Sequence, residues 1–408
     1  MTCTIDFVLL LEIGIGSEDK QAMMTRQPLR VCYFGTYRTN YARNTIIIDG
    51  LRANGVEVIE CHEPLWRSFE DRDQVANGGW RHPVFWWRVV RTYVRLLWRF
   101  GRLKQDYDLM VVAYLGQFDV LLARVLSWWQ RKPLVWDILM AISLIARERN
   151  LDRRRPLTMS IIHQVERLAC CLPDQLISDT RAYIGWFGAT YGVAPERFTL
   201  VPIGADNRVF RPADPRDEED PQRFVVVYYG TFIPNHGVAS LIEAARLLRA
   251  YGSIVFECIG DGPDKALAQG LTARYGLTNV TFIKWMHQDD LARRVARAGV
   301  SLGSFGMTPQ SLLTVHNKIY EGMAMAVPII TGDSPAVHEM LVHGEHVYLC
   351  ERANPHALAS AILRLYLDDD LRRKLARQGY AYYQRHFTLE QIGAQFQQAL
   401  IDVCNRDG

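Results

Sequence analysis

The chain has 408 residues, more than one ordinary hydrophobic core of roughly 100 to 200 residues accommodates, so two domains are expected. With 49% hydrophobic and 22% charged residues, 17 prolines and 29 glycines, the composition is that of a folded globular protein and excludes a low-complexity chain. A formal charge of +3 excludes a whole-molecule nucleic-acid binder, so any basic surface that matters is local.

The opening stretch "FVLLLEIGIG" (Phe7 to Gly16) is too short to span a membrane, contains Glu12 and has no basic region before it. Residues 1–26 are therefore read as an N-terminal extension, with Met23 or Met24 as an alternative start. From Leu29 a buried-type strand, "LRVCYFGTY", leads through a helical pattern into a second strand, "VEVIECH". Further strands follow in "DLMVVAYLG", "KPLVWDI" and "LISDT", separated by amphipathic helices. Such alternation predicts a parallel sheet covered on both faces.

A proline-rich, charged stretch, "RPADPRDEEDPQR", then interrupts the pattern and is read as a linker over residues 211–223. The alternation restarts with "FVVVYYGTF" and continues through "IVFECIGDGP", "VTFIKW", "VSLGSF", a helix from about Val315, and "VPIITG". The expected organisation is α/β, with two Rossmann-like, doubly wound parallel-sheet domains, residues 27–210 and 224–384, facing a central cleft. Ligands of such sheets bind at the carboxyl ends of the strands. Residues 385–408 form an amphipathic C-terminal helix that could cross back to the first domain. The eight cysteines show neither zinc-site spacing nor a compact disulfide pattern, which suits a cytosolic protein.

The stretch "HNKIYEGMAMAVPIITGDSPA" carries the chemistry. Lys318 stands in the first turn of a helix after a strand, where unpaired amides and the helix dipole favour an anion. Glu321, one turn on, can accept two hydrogen bonds from a ribose diol. An isolated Lys-x-x-Glu would be an ordinary surface pair worth only ~0.2 to 0.5 kcal/mol. Its place at the carboxyl edge of a parallel sheet, before the small-residue run "GMAMAVP", favours phosphate and ribose recognition instead.

At these residues the sequence resembles the family 4 type glycosyl transferases group 1, nucleotide-sugar enzymes of the GT-B fold. The resemblance runs from about Leu29 to the end. It is carried by "VPIGADNRVFRP", "YYGTFIPNHGVASLIEAARLL", "IGDGP", "NKIYEGMAMAVPIITGD" and "YYQRHFTLEQIG" in the family's order. It implies donor-binding roles for Gly230, Thr231, His236, Gly260, Asn317, Lys318 and Glu321, and catalytic roles among Lys318, Glu321, Asp137 and His236. Many members carry two glutamates separated by seven residues. Glu321 matches the second, whereas the first falls on Leu313. Thr231 and His236 stand where many members have arginine and lysine, and His236 adds charge only when protonated, partly so at neutral pH for an ordinary pKa of ~6.5.

In the first domain, "GTYRTNYARN" resembles the family's acceptor-side loop. Gly35 would allow close backbone approach, and Arg43 and Asn44 either meet a phosphate or sugar hydroxyl or serve as helix cap and solvated arginine. Asp137 either orients an acceptor hydroxyl or caps the next helix. The Asp-x-Asp at 71–73 lacks a preceding strand and is read as chance, and the acidic run at 368–370 as a helix junction. The resemblance implies no metal and no cofactor beyond the nucleotide-sugar co-substrate, with UDP-sugar favoured over GDP-sugar.

Trp80 to Lys104 holds seven Arg or Lys and no acid. On a helical projection Arg88, Arg91, Arg95, Arg99 and Arg102 fall on one face and Trp87, Val90, Val94 and Leu97 on another, and Trp98 is counted with the membrane-surface residues. The pattern fits an interfacial membrane helix, a domain helix with a solvated basic face, or a single-stranded nucleic-acid surface. The membrane reading is preferred, and nucleic acid is not expected as a partner. The expected function is retaining transfer of a sugar from a nucleotide diphosphate to a glycan or lipid-linked acceptor in cell-envelope or exopolysaccharide synthesis, in the cytoplasm or at the inner face of the plasma membrane. A nucleotide-sugar 2-epimerase and a non-catalytic nucleotide-sugar binding subunit are the alternatives. The oligomeric state is not legible.

Overall fold

The computed structural model describes residues 28–65, 82–103, 105–148, 151–213 and 223–406. The N-terminal extension, most of the linker and the Asp-x-Asp at 71–73 lie outside the described residues. Twelve short strands form two six-stranded sheets. The first contains β1 (Arg30–Gly35), β2 (Glu57–His62), β3 (Leu109–Val112), β4 (Leu134–Asp137), β5 (Gln175–Ser178) and β6 (Phe198–Leu200), ordered β2-β1-β3-β4-β5-β6. The second contains β7 (Phe224–Tyr229), β8 (Ile254–Ile259), β9 (Val280–Ile283), β10 (Val300–Leu302), β11 (Ile329–Gly332) and β12 (Tyr348–Cys350), ordered β12-β11-β10-β7-β8-β9. Every pairing is parallel.

The apolar runs are buried on both faces because helices cover both. In β1, Val31 and Tyr33 enter one core while Cys32 and Phe34 enter the other. Helices Pro83–Gly101, Asp119–Gln130 and Pro156–Cys171 pack on the Cys32 face through Leu96, Val120, Ala123 and Ala169. Helix Ala42–Ala53 packs on the opposite face.

Three elements differ from the reading of the sequence. Strands β6 and β12, each of three residues, were not expected. The helix expected from about Val315 begins at Asn317, after a separate short helix, Pro309–Leu313, capped by the Thr308 hydroxyl.

The chain's last helix, Leu389–Arg406, lies on Ala42–Ala53 of the first domain. A Cβ on Gly393 would stand 2.1 Å from the Gly50 carbonyl oxygen, so both glycines are needed for this backbone-to-backbone approach. Where the chain returns, Ala205 N–H donates to the Phe387 carbonyl at 3.1 Å and the Tyr383 hydroxyl to the Ala205 carbonyl at 2.9 Å. Across the cleft, the Thr180 hydroxyl donates to the Leu313 carbonyl at 2.7 Å and Arg181 N–H to the Glu339 carboxylate at 2.7 Å.

Candidate functional site

The site of the second domain is assembled by the loops after β7, β8 and β10 and by helix Asn317–Ala324. Its centre is Lys318, which is 6% exposed. The ammonium Nζ lies 4.3 Å from the centroid of the Tyr228 ring and 3.4 Å from Nδ1 of His236. Glu321, one turn on, is partly exposed. Burial pushes the Lys318 ammonium down to about 7, against the pull of Glu321. Burial likewise lifts the Glu321 carboxyl to about 7, against Tyr229 and Lys318. The Ile319 N–H donates to the His316 carbonyl at 2.9 Å, whereas the amides of Asn317 and Lys318 before it have no carbonyl one turn back and point the same way as the helix dipole. A buried cation at a helix N-terminus, held by a ring face rather than a carboxylate, is a site built for an anion.

The loops make room for that anion. Gly230 has φ +133° and Gly260 φ +132°, a region that side chains rarely adopt. A Cβ on Gly230 would come 3.1 Å from Lys318 Nζ, and one on Gly260 would come 2.1 Å from the Gly230 carbonyl oxygen. Both glycines therefore keep the backbone low in front of the lysine. Thr231 and Asn317 sit partly exposed at the same edge. Trp285, half exposed after β9, reaches to 3.3 Å of the same Gly260 position with Cζ2, which puts an open indole face at the mouth.

The loop after β10 is fixed to the loop after β7. The Asn235 carbonyl accepts from the Ser304 and Ser311 hydroxyls, each at 2.7 Å. Arg352 braces this loop from below, donating to the Gly306 carbonyl at 2.8 Å and to Ser311 Oγ at 2.9 Å. The His316 ring lies 5.3 Å from that of His236, with Nε2 3.3 Å from Ser304 Oγ. Reading the sequence missed Tyr228, His316, Ser304 and Arg352. The aromatic pair before Gly230 was the one available signal, since the others are polar residues in loops whose neighbours come from distant segments.

His236 lies in the site but does not carry the expected charge. Burial, then Lys318 and His316, hold its ring well below the usual histidine value. The neutral imidazole shares a 2.9 Å hydrogen bond with the Tyr228 hydroxyl, so it positions the platform under Lys318.

The first domain corrects three further expectations. Arg43 and Asp137 are both 0% exposed and bound to each other, Nε to Oδ2 and Nη2 to Oδ1, each at 2.9 Å. The remaining guanidinium nitrogen of Arg43 donates to the Val201 and Pro202 carbonyls. The two side chains are spent chiefly on each other and shut off from solvent, which favours a structural ion pair over an acceptor acid and a phosphate ligand. Asn44 is equally buried and donates to the Arg38 and Tyr114 carbonyls. Gly35 faces protein rather than cleft, since its Cβ position lies 2.7 Å from Oδ2 of Asp119. The buried acid of this domain with unused oxygens is Asp179, whose carboxyl burial lifts to about 7 despite the Arg43 charge.

Leu313, at the place of the absent first glutamate, packs its side chain against the first domain's core. On helix Pro83–Gly101 the residues facing the sheet are Thr92, Leu96 and Phe100. Trp87 and Trp98 point outward beside the arginines, while Arg95 and Arg99 both pair with Glu63. The apolar and basic faces foreseen as opposite sides of the helix thus share its outer surface.

Residues 223–368 match the family model described as Glycosyl transferases group 1. The chain is 24% identical over 351 residues to the lipopolysaccharide core biosynthesis glycosyltransferase LpsD of Rhizobium meliloti, covering 85% of this chain and 90% of that protein. It is 23% identical over 247 residues to the MMP alpha-(1->4)-mannosyltransferase of Mycolicibacterium hassiacum, covering 59% of this chain and 58% of that one. Among solved structures, Anabaena HepE in complex with UDP superposes with a TM-score of 0.67 at 15% identity, covering 92% of this chain and all of that one. The sucrose-phosphate synthase of Thermosynechococcus elongatus gives a TM-score of 0.67 at 17% identity, covering 93% of this chain and 99% of that one.

Proposed function

Because this chain belongs to the glycosyl transferases group 1 of GT-B fold, we propose that it is a retaining transferase, taking a sugar from a nucleoside diphosphate to a glycan or lipid-linked acceptor. In this reading the acceptor hydroxyl oxygen bonds to the anomeric carbon on the face from which the diphosphate departs. The carbon–oxygen bond to the diphosphate breaks, and the hydroxyl proton ends on the departing phosphate oxygen. Lys318 and the first amides of its helix meet the charge that develops there, which is electrostatic catalysis without reorganisation. Glu321 accepts from the ribose diol, and Trp285 offers its face to the base.

The observation that carries the proposal is the buried setting of Lys318 opposite Gly230, on a ring face and, among the described residues, with no ion pair to a carboxylate within bonding distance. The UDP complex of HepE supports a uridine donor, and the similarity to LpsD supports a cell-envelope acceptor. The basic, tryptophan-bearing helix Pro83–Gly101 supports contact with the inner face of the plasma membrane. Among the described residues no helix is long and apolar enough to cross a membrane.

Thermal unfolding with UDP, GDP and ADP tests the donor site. A nucleotide at about 100 times its Kd adds ~2.7 kcal/mol, readily seen in Tm. One nucleotide should raise the Tm of the wild type and leave Lys318→Ala and Glu321→Ala unmoved, and a shift with none of the three overturns the proposal. Retention is read separately, from the anomeric configuration of the product.

A further inference from the structure

Three neighbouring helices of the first domain share an uncommon outer surface. Helix Pro83–Gly101 turns Trp87, Val94 and Trp98 outward, Trp87 being 63% exposed. Helix Asp119–Gln130, which touches the first where the Tyr93 hydroxyl donates to Asp119 at 2.7 Å, exposes Trp128 at 62% and Trp129 at 74%. Helix Pro156–Cys171 exposes Leu157 at 81% and also Ile161. All three pack on the same face of the sheet, so their outer sides form one layer. Burying tryptophans would be the ordinary fate of such residues, and isolated exposed ones need no account, but here they recur on the outer sides of three helices that cover one face of the sheet.

The exposed charges carried by the three helices themselves are basic, although Arg95 and Arg99 are paired with Glu63 and Arg124 with Asp174 from adjoining segments. The first helix contains no acid, and the only acids of the other two, Asp119 and Glu166, are each 1% exposed. Basic groups lie among the rings: Arg91 is 5.1 Å from the Trp87 ring centroid and Arg102 3.5 Å from that of Trp98. Two copies of this chain meeting here would oppose like charges, whereas an anionic lipid surface offers phosphates to the arginines and an apolar boundary to the rings.

We propose that this three-helix layer docks the first domain on an anionic bilayer, with the rings of all three helices at the headgroup boundary. The proposal rests on the membrane contact assigned above to helix Pro83–Gly101 and extends it to a face. In a parallel α/β sheet, helix N-termini stand at the carboxyl ends of the strands, the edge that faces the cleft. Trp87 and Leu157 belong to those ends, so the docked face reaches the rim of the cleft. An amphiphilic acceptor with its lipid still in the bilayer could then present its head to the cleft without leaving the membrane.

Vesicle flotation of the full chain tests this. Vesicles of equal parts phosphatidylcholine and phosphatidylglycerol should carry the protein up, and phosphatidylcholine alone should not. Trp128→Ser/Trp129→Ser and Trp87→Ser/Trp98→Ser should each lower the bound fraction about tenfold with unchanged Tm. If Trp128→Ser/Trp129→Ser floats like the wild type while Trp87→Ser/Trp98→Ser does not, only the first helix docks and the layer proposal falls while the simpler contact stands. Failure of the wild type to float, with a dimer by light scattering that the tryptophan variants dissolve, assigns the face to a second copy and overturns both.

Discussion

Arg43 and Lys318 are both buried cations near the carboxyl ends of parallel strands, and their surroundings are opposite. Arg43 is held by a carboxylate and two backbone carbonyls. Lys318 has a ring face and a neutral imidazole. A buried charge whose donors are all matched is scaffold, because any ligand would have to displace a partner already in place. A buried amine with no bonded carboxylate is costly to the protein, which its lowered pKa expresses despite Glu321, and an anion bound there would relieve that cost. On the proposed reading, the difference between the two residues separates a scaffold cation from a ligand-binding one.

The contrast is broken or sharpened by substitution. The largest effect expected is on stability: Arg43→Ala leaves Asp137 buried and unpaired and should cost ~3–5 kcal/mol in urea unfolding. The double change Arg43→Met/Asp137→Leu should recover most of it. Lys318→Met should leave urea unfolding unchanged or slightly improved while lowering kcat/KM by ~10²–10³. If Lys318→Met unfolds the protein as Arg43→Ala does, the two cations are not different in kind.

Trp285→Ala should weaken nucleoside diphosphate binding by ~1–3 kcal/mol, measured by calorimetry, with the remaining affinity less selective among bases. The smallest effect is the pH dependence of that affinity. The empty site's Lys318 is protonated below about pH 7. Binding of the anion is therefore fully present below that value. It weakens as pH rises through it, by at most about tenfold per unit. Lys318→Gln should flatten the profile. A wild-type profile that instead improves with pH would place the charge on another group.

Much of this was legible in the sequence, and the misses have physical causes. Short apolar runs alternating with helical patterns marked ten of the twelve described strands, most clearly where burial on both faces leaves few polar residues to blur them, as in β1, β3 and β7. Asn317, Lys318 and Glu321 could be grouped from the sequence because they stand on adjacent turns of one helix. Arg43 and Asp137 misled for the converse reason. Each sits at a strand-to-helix junction, the right address for a ligand, but their separation of 94 positions hides that they satisfy one another. His236 was placed correctly and charged wrongly, as protonation depends on burial and on Lys318 across a gap of 82 positions.

The return of the chain at Phe387 has a mechanical consequence. The outgoing segment at Ala205 and the returning one at Phe387 are hydrogen-bonded to each other, and Leu389 N–H donates to Asn207 nearby. The two covalent crossings between the domains therefore meet at one pivot rather than at two separated anchors. The last helix, locked by the Gly50–Gly393 contact, moves with the first domain. Rotation about the pivot needs dihedral changes in only a few residues, whereas at the far end of the lever it separates the Thr180–Leu313 and Arg181–Glu339 contacts. With the Gln310 N–H to Glu148 hydrogen bond and the Leu313 side chain seated on the first domain's core, these contacts tie the rim, so rotation about the pivot strains the rim while the hydrogen bonds at the axle stay intact.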